Sequence, residues 1–452
     1  MNGSKRILAF ILISGFLIGG SVLFADRVDG QDSESLAAIP SPVKVSPKRK
    51  GDFYPYGLFY NPTIDRYVVF LMEAVSNREI ILYSRLFNRK GRPASGFQKV
   101  FQAHRTDVGF LNIAYNQQDN VFFVVGCDSN FDEIKGILCD GEGRWLNPEE
   151  EGVIIKGESG ILTGFVPQVT WIPSTNQYAV NWTLVNYRKP EDFRNGQFLS
   201  VLNSDLSFKV KKRKVRKQTM KNNWYYAKIL PLEDKLLWTT TQDAQGMKLQ
   251  PVVWFTNLKG KILNQYGDEG DGFIYPHPAV DGRGRVSAAY NDVEDTIFLY
   301  WDQSNSDYSD QEAYREHRFR LMDSNGEFKG PWMIVPRKYP YQNGSSVSYN
   351  PVENRFFWIT SEYRILSSSN PYRSNVRGKL WGFYVGNDGN FESKTGKQLW
   401  RPIALTRYFS SMDISMDYAG CAYNDSRNEY FILYVLYDYK SESSEIWSIL
   451  YK

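Results

Sequence analysis

One short pattern occurs seven times in the 452 residues, and it constrains the chain more than any other feature. The copies are YNPTIDRY from Tyr60, YNQQDNVF from Tyr115, WIPSTNQY from Trp171 and ILPLEDKL from Ile229, then YNDVEDTI from Tyr290, YNPVENRF from Tyr349 and YNDSRNEY from Tyr423. Each opens on a bulky apolar residue and meets another seven positions later. Two positions before that second residue stands Asp or Asn, at Asp65, Asn120, Asn176, Asp234, Asp295, Asn354 and Asn428. Asn also follows the opening aromatic at Asn61, Asn116, Asn291, Asn350 and Asn424. This is the grammar of a β-hairpin. Asn and Asp tolerate left-handed backbone and bond their own main chain. Pro62, Pro173, Pro231 and Pro351 suit the first turn position, where φ is about −65°. The strands that follow run apolar, as in YVVFLM from Tyr67, FFVVG from Phe122 and YFILYVLY from Tyr430.

A second turn follows each hairpin. Asn or Asp at its first position is matched by Gly at its fourth: Asn88 with Gly91, Asp140 with Gly143, Asn257 with Gly260 and Asp323 with Gly326. Gly386 with Gly389 is a variant and Asn203 to Leu206 a degenerate copy. A type I turn with Gly in the left-handed position closes a hairpin in this way. A fourth strand comes next, such as FQKVFQ from Phe97, GVIIKG from Gly152 and WMIVP from Trp332. Opening residues lie 55, 56, 58, 61, 59 and 74 positions apart. Four antiparallel strands repeated at that spacing predict an all-β chain, a seven-bladed β-propeller. A lone blade cannot bury both its faces, so stacking into a ring supplies the core. The seventh unit ends on its third strand, IWSILY from Ile446. The segment SPVKVSPK from Ser41 is expected to fill the vacant outer edge of that last blade and lock the ring.

The ring is therefore assigned to residues 41–452. Residues 1–25 are expected to be a secretory signal peptide: Lys5 and Arg6 precede an apolar run from Ile7 to Ala25 with small residues near its end. The run is close to a membrane span of roughly 20 residues, so an uncleaved anchor is the alternative. Residues 26–40 read as a flexible polar leader. The chain is then secreted, periplasmic or held at a cell surface, with no transmembrane segment after signal removal. The balance of 54 basic and 50 acidic side chains gives no case for specific nucleic-acid binding. Cys127, Cys139 and Cys421 are read as buried thiols, with pairing of the first two across a hairpin left open. His104, His277 and His317 show no metal-ligand spacing, and no cofactor or metal is expected.

The segments YNPTIDRYVVF and YNPVENRFFWI resemble the blades of secreted bacterial β-propeller repeat proteins with a Y-N-P-x-x-x-x-Y-x-V-x-W pattern, most of them uncharacterised. The resemblance spans nearly the whole ring. It implies the fold and no activity. No Gly-His with Trp-Asp repeat and no S-x-D-x-G-x-x-W box is evident.

In a propeller the regular turns share one rim, and the remaining loops and blade-to-blade connections share the other. Long loops on a rigid scaffold usually carry function. Those loops supply the candidate ligand-binding residues Tyr187, Arg188, Tyr275, His277, Tyr339, Tyr341, Tyr372, Arg373 and Tyr408. Phenol faces beside planar polar groups suit a glycan or a peptide. His277, near Asp268, Glu269 and Asp271, is a candidate base or metal ligand, with a structural or solvated role the more ordinary reading. GDEGDG from Gly267 lacks the order of a known calcium loop. KVKKRKVRKQTMK from Lys209 concentrates charge, and Lys211, Lys212, Arg213, Lys214, Arg216 and Lys217 are candidates for contact with an anionic surface. The plainer reading is an edge strand decorated against pairing. No phosphate-binding Gly loop or G-x-S-x-G elbow is present. The expected function is a binding or scaffold protein for a protein or glycan. The alternative is a carbohydrate-active hydrolase or lyase with paired carboxylates in the channel.

Overall fold

The computed structural model describes residues 41–47, 52–76, 79–104, 110–127, 133–149, 152–157, 163–185, 195–217, 224–243, 248–263, 272–277, 280–281, 286–304, 315–335, 341–365, 376–393, 402–407, 409–410, 412–415, 420–438 and 443–452. The expected signal peptide and leader lie outside them. The described residues form β-strands, antiparallel within each blade, and one 3-10 turn at Pro173–Thr175.

Blade one is Asp52–Asn61, Arg66–Ala74, Glu79–Phe87 and Gln98–His104, each strand paired with the next. Blade two is Phe110–Asn116, Val121–Cys127, Glu133–Asp140 and Val153–Gly157, and blade three is Thr163–Ile172, Gln177–Val185, Gly196–Asn203 and Phe208–Lys217. Blades four, five and six begin at Trp224–Pro231, Val286–Asn291 and Tyr341–Asn350. Their first three strands are complete, but their outer strands are two-residue pieces such as Ile262–Leu263, Met333–Ile334 and Phe391–Glu392. Blades five and six also share one parallel pair, Arg315 with Tyr341. Blade seven is Cys421–Asn424, Glu429–Asp438 and Ser443–Tyr451, with Met412–Ser415 extending its inner edge.

The fourth strand of blade seven comes from the other end of the chain, as the vacancy after IWSILY required. Val43 pairs with Ser448 and Lys44 with Trp447. Val45 N–H donates to the Ile446 carbonyl at 2.8 Å, and Lys44 meets Glu445 at 2.5 Å. The joint covers a sheet edge that would otherwise template foreign strands.

The second strand of every blade is buried on both faces, so consecutive residues serve opposite interfaces. Tyr67 packs toward blade seven and Val68 toward blade two; Phe122 packs toward blade one and Phe123 toward blade three. The same alternation runs through Leu236 and Leu237, Phe356 and Phe357, and Tyr430 and Phe431. Seven apolar clusters result, one between each pair of neighbouring blades. Burying one such side chain is worth about 1.5–3 kcal/mol, so stacking outweighs any single turn contact.

Both turns are as the sequence demands, save the first turn of blade four. Asp65, Asn120, Asn176, Asp295, Asn354 and Asn428 all carry φ between 45° and 55°. Asp234 does not, because blade four uses a tighter turn, in which Leu232 N–H donates to the Lys235 carbonyl at 2.9 Å. In the second turn Gly91, Gly143, Gly260, Gly326 and Gly389 take positive φ, and Leu206 fills the same place at 65°. Cys127 and Cys139 do not pair. Cys127 lies opposite Ile134 and Cys139 opposite Phe122, at different ends of the hairpin. Burial pushes the Cys139 thiol well above its ordinary range, so it behaves as a small apolar residue.

Candidate functional site

Two rims and one axis follow from the topology. Strand one to two and strand three to four turn on the same rim; strand two to three and blade to blade cross on the other.

The short-turn rim is tied by asparagine. In blade one, Asn61 Oδ1 accepts from Thr63 N–H at 3.0 Å and so caps its own turn. Its Nδ2 donates to Asn120 Oδ1 of blade two at 2.7 Å. Asn116 reaches Asn176 at 2.8 Å, Asn291 reaches Asn354 at 2.9 Å and Asn350 reaches Asn428 at 2.8 Å. The receiving oxygen also takes the opening side chain of its own blade: Tyr115 on Asn120 at 3.1 Å, Trp171 on Asn176 at 3.0 Å, Tyr349 on Asn354 at 3.0 Å and Tyr423 on Asn428 at 3.0 Å. Only an amide supplies both the acceptor and the donor this position uses, which is why it is Asn rather than Asp. Asn61, Asn116, Asn291, Asn350 and Asn424 are fully buried. The belt is interrupted around blade four, where Ile172 and Leu230 replace the amide.

The axis is polar. First strands of successive blades touch one another around the ring, so their free edges surround the centre. Three positions before the opening residues stand Gly57, Asn112, Gln168, Ser287, Ser346 and Gly420. Asn112 Nδ2 donates to Gln168 Oε1 at 3.3 Å, and Asn112 Oδ1 accepts from Val169 N–H at 2.9 Å. Lys228, one position before Ile229, donates to Ser287 Oγ at 3.1 Å. The Tyr300 phenol, pushed up to about 12 by burial, donates to the Ser345 carbonyl at 3.5 Å. A Cβ on Gly420 would fall 2.3 Å from Ser346 Oγ, so glycine there lets blade seven approach the Ser346 hydroxyl closely. These half-buried amides, hydroxyls and one ammonium form a hydrogen-bonding surface, suited to holding polar groups. Sequence reading passed over them, although aligning the seven copies puts most of them in one column.

Blade five places two of the three histidines. Asp302 lies directly opposite His317 in register, and His317 Nδ1 sits 2.5 Å from Asp302 Oδ1. His277 is buried rather than solvated, and its Nε2 lies 2.8 Å from Arg318 Nη1. Arginine only donates, so Nε2 accepts and the ring is neutral with its proton on Nδ1. The Trp332 ring meets His277 edge-on at 4.6 Å and carries the Arg318 guanidinium at 4.4 Å. Gln250 donates to the His277 carbonyl at 3.3 Å, and Arg320 to the Pro276 carbonyl at 3.1 Å. His277 thus pins residues 272–277 onto blade five. Asp268, Glu269 and Asp271 lie outside the described residues. No cluster of His, Cys, Asp or Glu suited to a metal ion occurs among the described residues.

Of the other loop candidates, Tyr187, Arg188, Tyr339, Tyr372, Arg373 and Tyr408 lie outside the described residues. Tyr341 opens the first strand of blade six opposite Tyr363. Tyr275 is exposed, its ring 6.1 Å from that of Phe273. The basic run is the outer strand of blade three. Lys211, Lys212, Arg213 and Lys217 are exposed, Lys214 and Arg216 half-buried, and Val215 buried. Three register shifts break its pairing with Gly196–Asn203.

No family model matches the chain, and no curated protein matches it. Solved structures similar to it include hydrazine synthase of Kuenenia stuttgartiensis, at 9% identity over 88% of this chain and 97% of that one, TM-score 0.46. A prolyl endopeptidase is similar at 12% identity over 89% of this chain, TM-score 0.42, and this chain spans 50% of its length. An α-L-arabinofuranosidase from Lactobacillus brevis is similar at 10% identity over 65% of this chain and 96% of that one, TM-score 0.37.

Proposed function

We propose that this chain is an extracytoplasmic β-propeller that recognises a protein or glycan through its long-connection rim, as a binding or scaffold module. The observation that supports this reading is the asymmetry of the rims. One rim is closed by short turns and by four buried amides that each bond the next blade's Asn. The other is framed by strand ends far apart in sequence, Val185 and Gly196, Ser304 and Arg315, and Ile365 and Val376. Long connections on a stacked ring are where a fold of this kind holds variable recognition chemistry. The polar lining around Asn112, Gln168, Lys228 and Ser287 extends that chemistry to the axis. Its amides and hydroxyls match the hydroxyl and amide edges of sugars and peptides. The apolar run from Ile7 to Ala25 supports export.

A glycan and protein array probed with residues 26–452 tests the proposal. Binding that weakens about tenfold or more in Lys228→Ala, with unfolding unchanged, is the expected result. Turnover of a polysaccharide without stable binding would replace this reading with the hydrolase one.

A further inference from the structure

We propose that the outer edge of blade three, Phe208–Lys217, together with Lys259 and Lys261 beside it, docks on an anionic phospholipid bilayer. The strand FKVKKRKVRK carries seven cations and no acid. Edge protection alone does not demand them. The other outer strands answer the same physical problem with at most one cation each, Lys99 in Gln98–His104, Lys156 in Val153–Gly157 and Lys44 in Val43–Lys44. The register shifts already interrupt the ladder of blade three, and bulges blunt an edge without charge.

The patch extends beyond its own blade. A Cβ on Gly260 of blade four would lie 3.2 Å from Arg213 and 3.4 Å from Val215, so the turn bearing exposed Lys259 and Lys261 abuts the strand. On the opposite side Val153–Gly157 of blade two touches it.

Three observations favour a bilayer over a polyanionic chain. The cations stand on the outer circumference of the ring, where a flat surface reaches them. No ring beneath them stands fully exposed as a stacking platform: Phe198, under Lys212 and Lys214, is 5% exposed, Trp254, under Arg216, is fully buried, and Phe208, under Lys211, and Phe273, also under Arg216, are half-buried and already covered by those cations. A single-stranded nucleic acid or a sugar chain uses such platforms. The stems of these cations instead cover apolar surface and carry the charged heads outward.

Sedimentation of residues 26–452, which retain every described strand, with phosphatidylcholine vesicles tests this, with and without about one-third phosphatidylglycerol. Binding is expected to the anionic vesicles alone and to weaken with salt. Neutralising three exposed cations by Lys211→Gln, Arg213→Gln and Lys217→Gln should lower the affinity about 100-fold, while Lys211→Arg with Lys217→Arg should preserve it. Equal binding to neutral vesicles, no effect of the triple variant, or binding only to a soluble polyuronate or single-stranded nucleic acid would each overturn the proposal. Array binding by the triple variant reads the long-connection rim separately, so the two proposals fail independently.

Discussion

Arg427 Nη2 meets Asp65 Oδ2 at 2.6 Å, joining two residues 362 positions apart across the seam between blades seven and one. At four other seams a buried Asn meets the next blade's Asn. Here the next blade offers a carboxylate, and a guanidinium from the turn of blade seven takes it.

This seam should weaken in acid. Partial burial raises the Asp65 pKa, but the bond and charge of Arg427, with the bond from Tyr60, outweigh it and leave the group below its ordinary 3.8. A carboxyl depressed in the folded state contributes stability above its unfolded pKa and loses it as pH falls through the folded one. Arg427→Ala should therefore lower the melting temperature slightly at neutral pH and flatten its decline below about pH 4. The side chains are partly exposed, so high salt should shrink the difference. Melting curves over pH and salt decide it; an equal acid decline in both proteins refutes it.

The asparagine belt predicts a sharper response. Asn350 is fully buried and donates to both Asn428 Oδ1 and the Tyr430 hydroxyl, at 2.8 and 2.9 Å. Asn350→Ala removes both bonds and the Glu353 N–H cap, and should cost about 2–4 kcal/mol. Asn350→Asp keeps the cap acceptor but loses the donor and brings buried charge against Asn428 Oδ1, so it should cost more. Urea unfolding measures both; a cost for Asn350→Asp below that of Asn350→Ala would show that the donor carries nothing.

Two glycines in equivalent turns separate backbone strain from space. Gly143 and Gly389 have φ of 84° and 81°. A Cβ on Gly143 would come within 2.6 Å of Ser84 Cβ and 3.1 Å of Phe70, whereas on Gly389 the nearest atom is 3.7 Å away. Gly389→Ala should cost about 1–2 kcal/mol from the left-handed backbone alone. Gly143→Ala should cost about 1–3 kcal/mol more, since Ser84 and Phe70 are packed on blade one. Thermal unfolding compares them, and equal costs would refute the packing argument.

The fold was legible because each hairpin repeats a residue pattern with one physical meaning. Asp65 or Asn354 can be read alone, since a left-handed turn residue needs nothing from the rest of the chain. Asn61 could be read as a turn residue, but its second bond goes to Asn120 in the next blade, and that needs the ring. The site was less legible. Tyr187 and Arg373 were chosen for residue type in long loops, a weak signal shared by many exposed side chains. Asn112, Gln168 and Ser287 sit in strands, where a polar residue among apolar ones reads as the solvent face of a sheet. The ring turns that face toward the axis. The acidic neighbours of His277 in sequence suggest a base or metal ligand, with a structural or solvated role the plainer reading; its neighbours in space are Arg318 and Trp332, and the role is structural.

That placement of His277 sets the last prediction. If the imidazole is an acceptor that pins residues 272–277, an uncharged acceptor of similar reach should replace it. His277→Gln should keep most of the stability, and His277→Ala should cost about 1–3 kcal/mol by removing the acceptor that faces a buried guanidinium. The loss should be local: besides the His277 ring, Arg320 to the Pro276 carbonyl ties residues 272–277 to blade five, while Gln250 and Val253 tie them to blade four. Hydrogen exchange should quicken in residues 272–277 and in Arg315–Met322, while distant strands such as Val121–Cys127 stay protected. Ligand binding on the array should persist in His277→Gln. A loss of binding in that variant with unchanged exchange would show that the ring acts on the ligand and not on the fold.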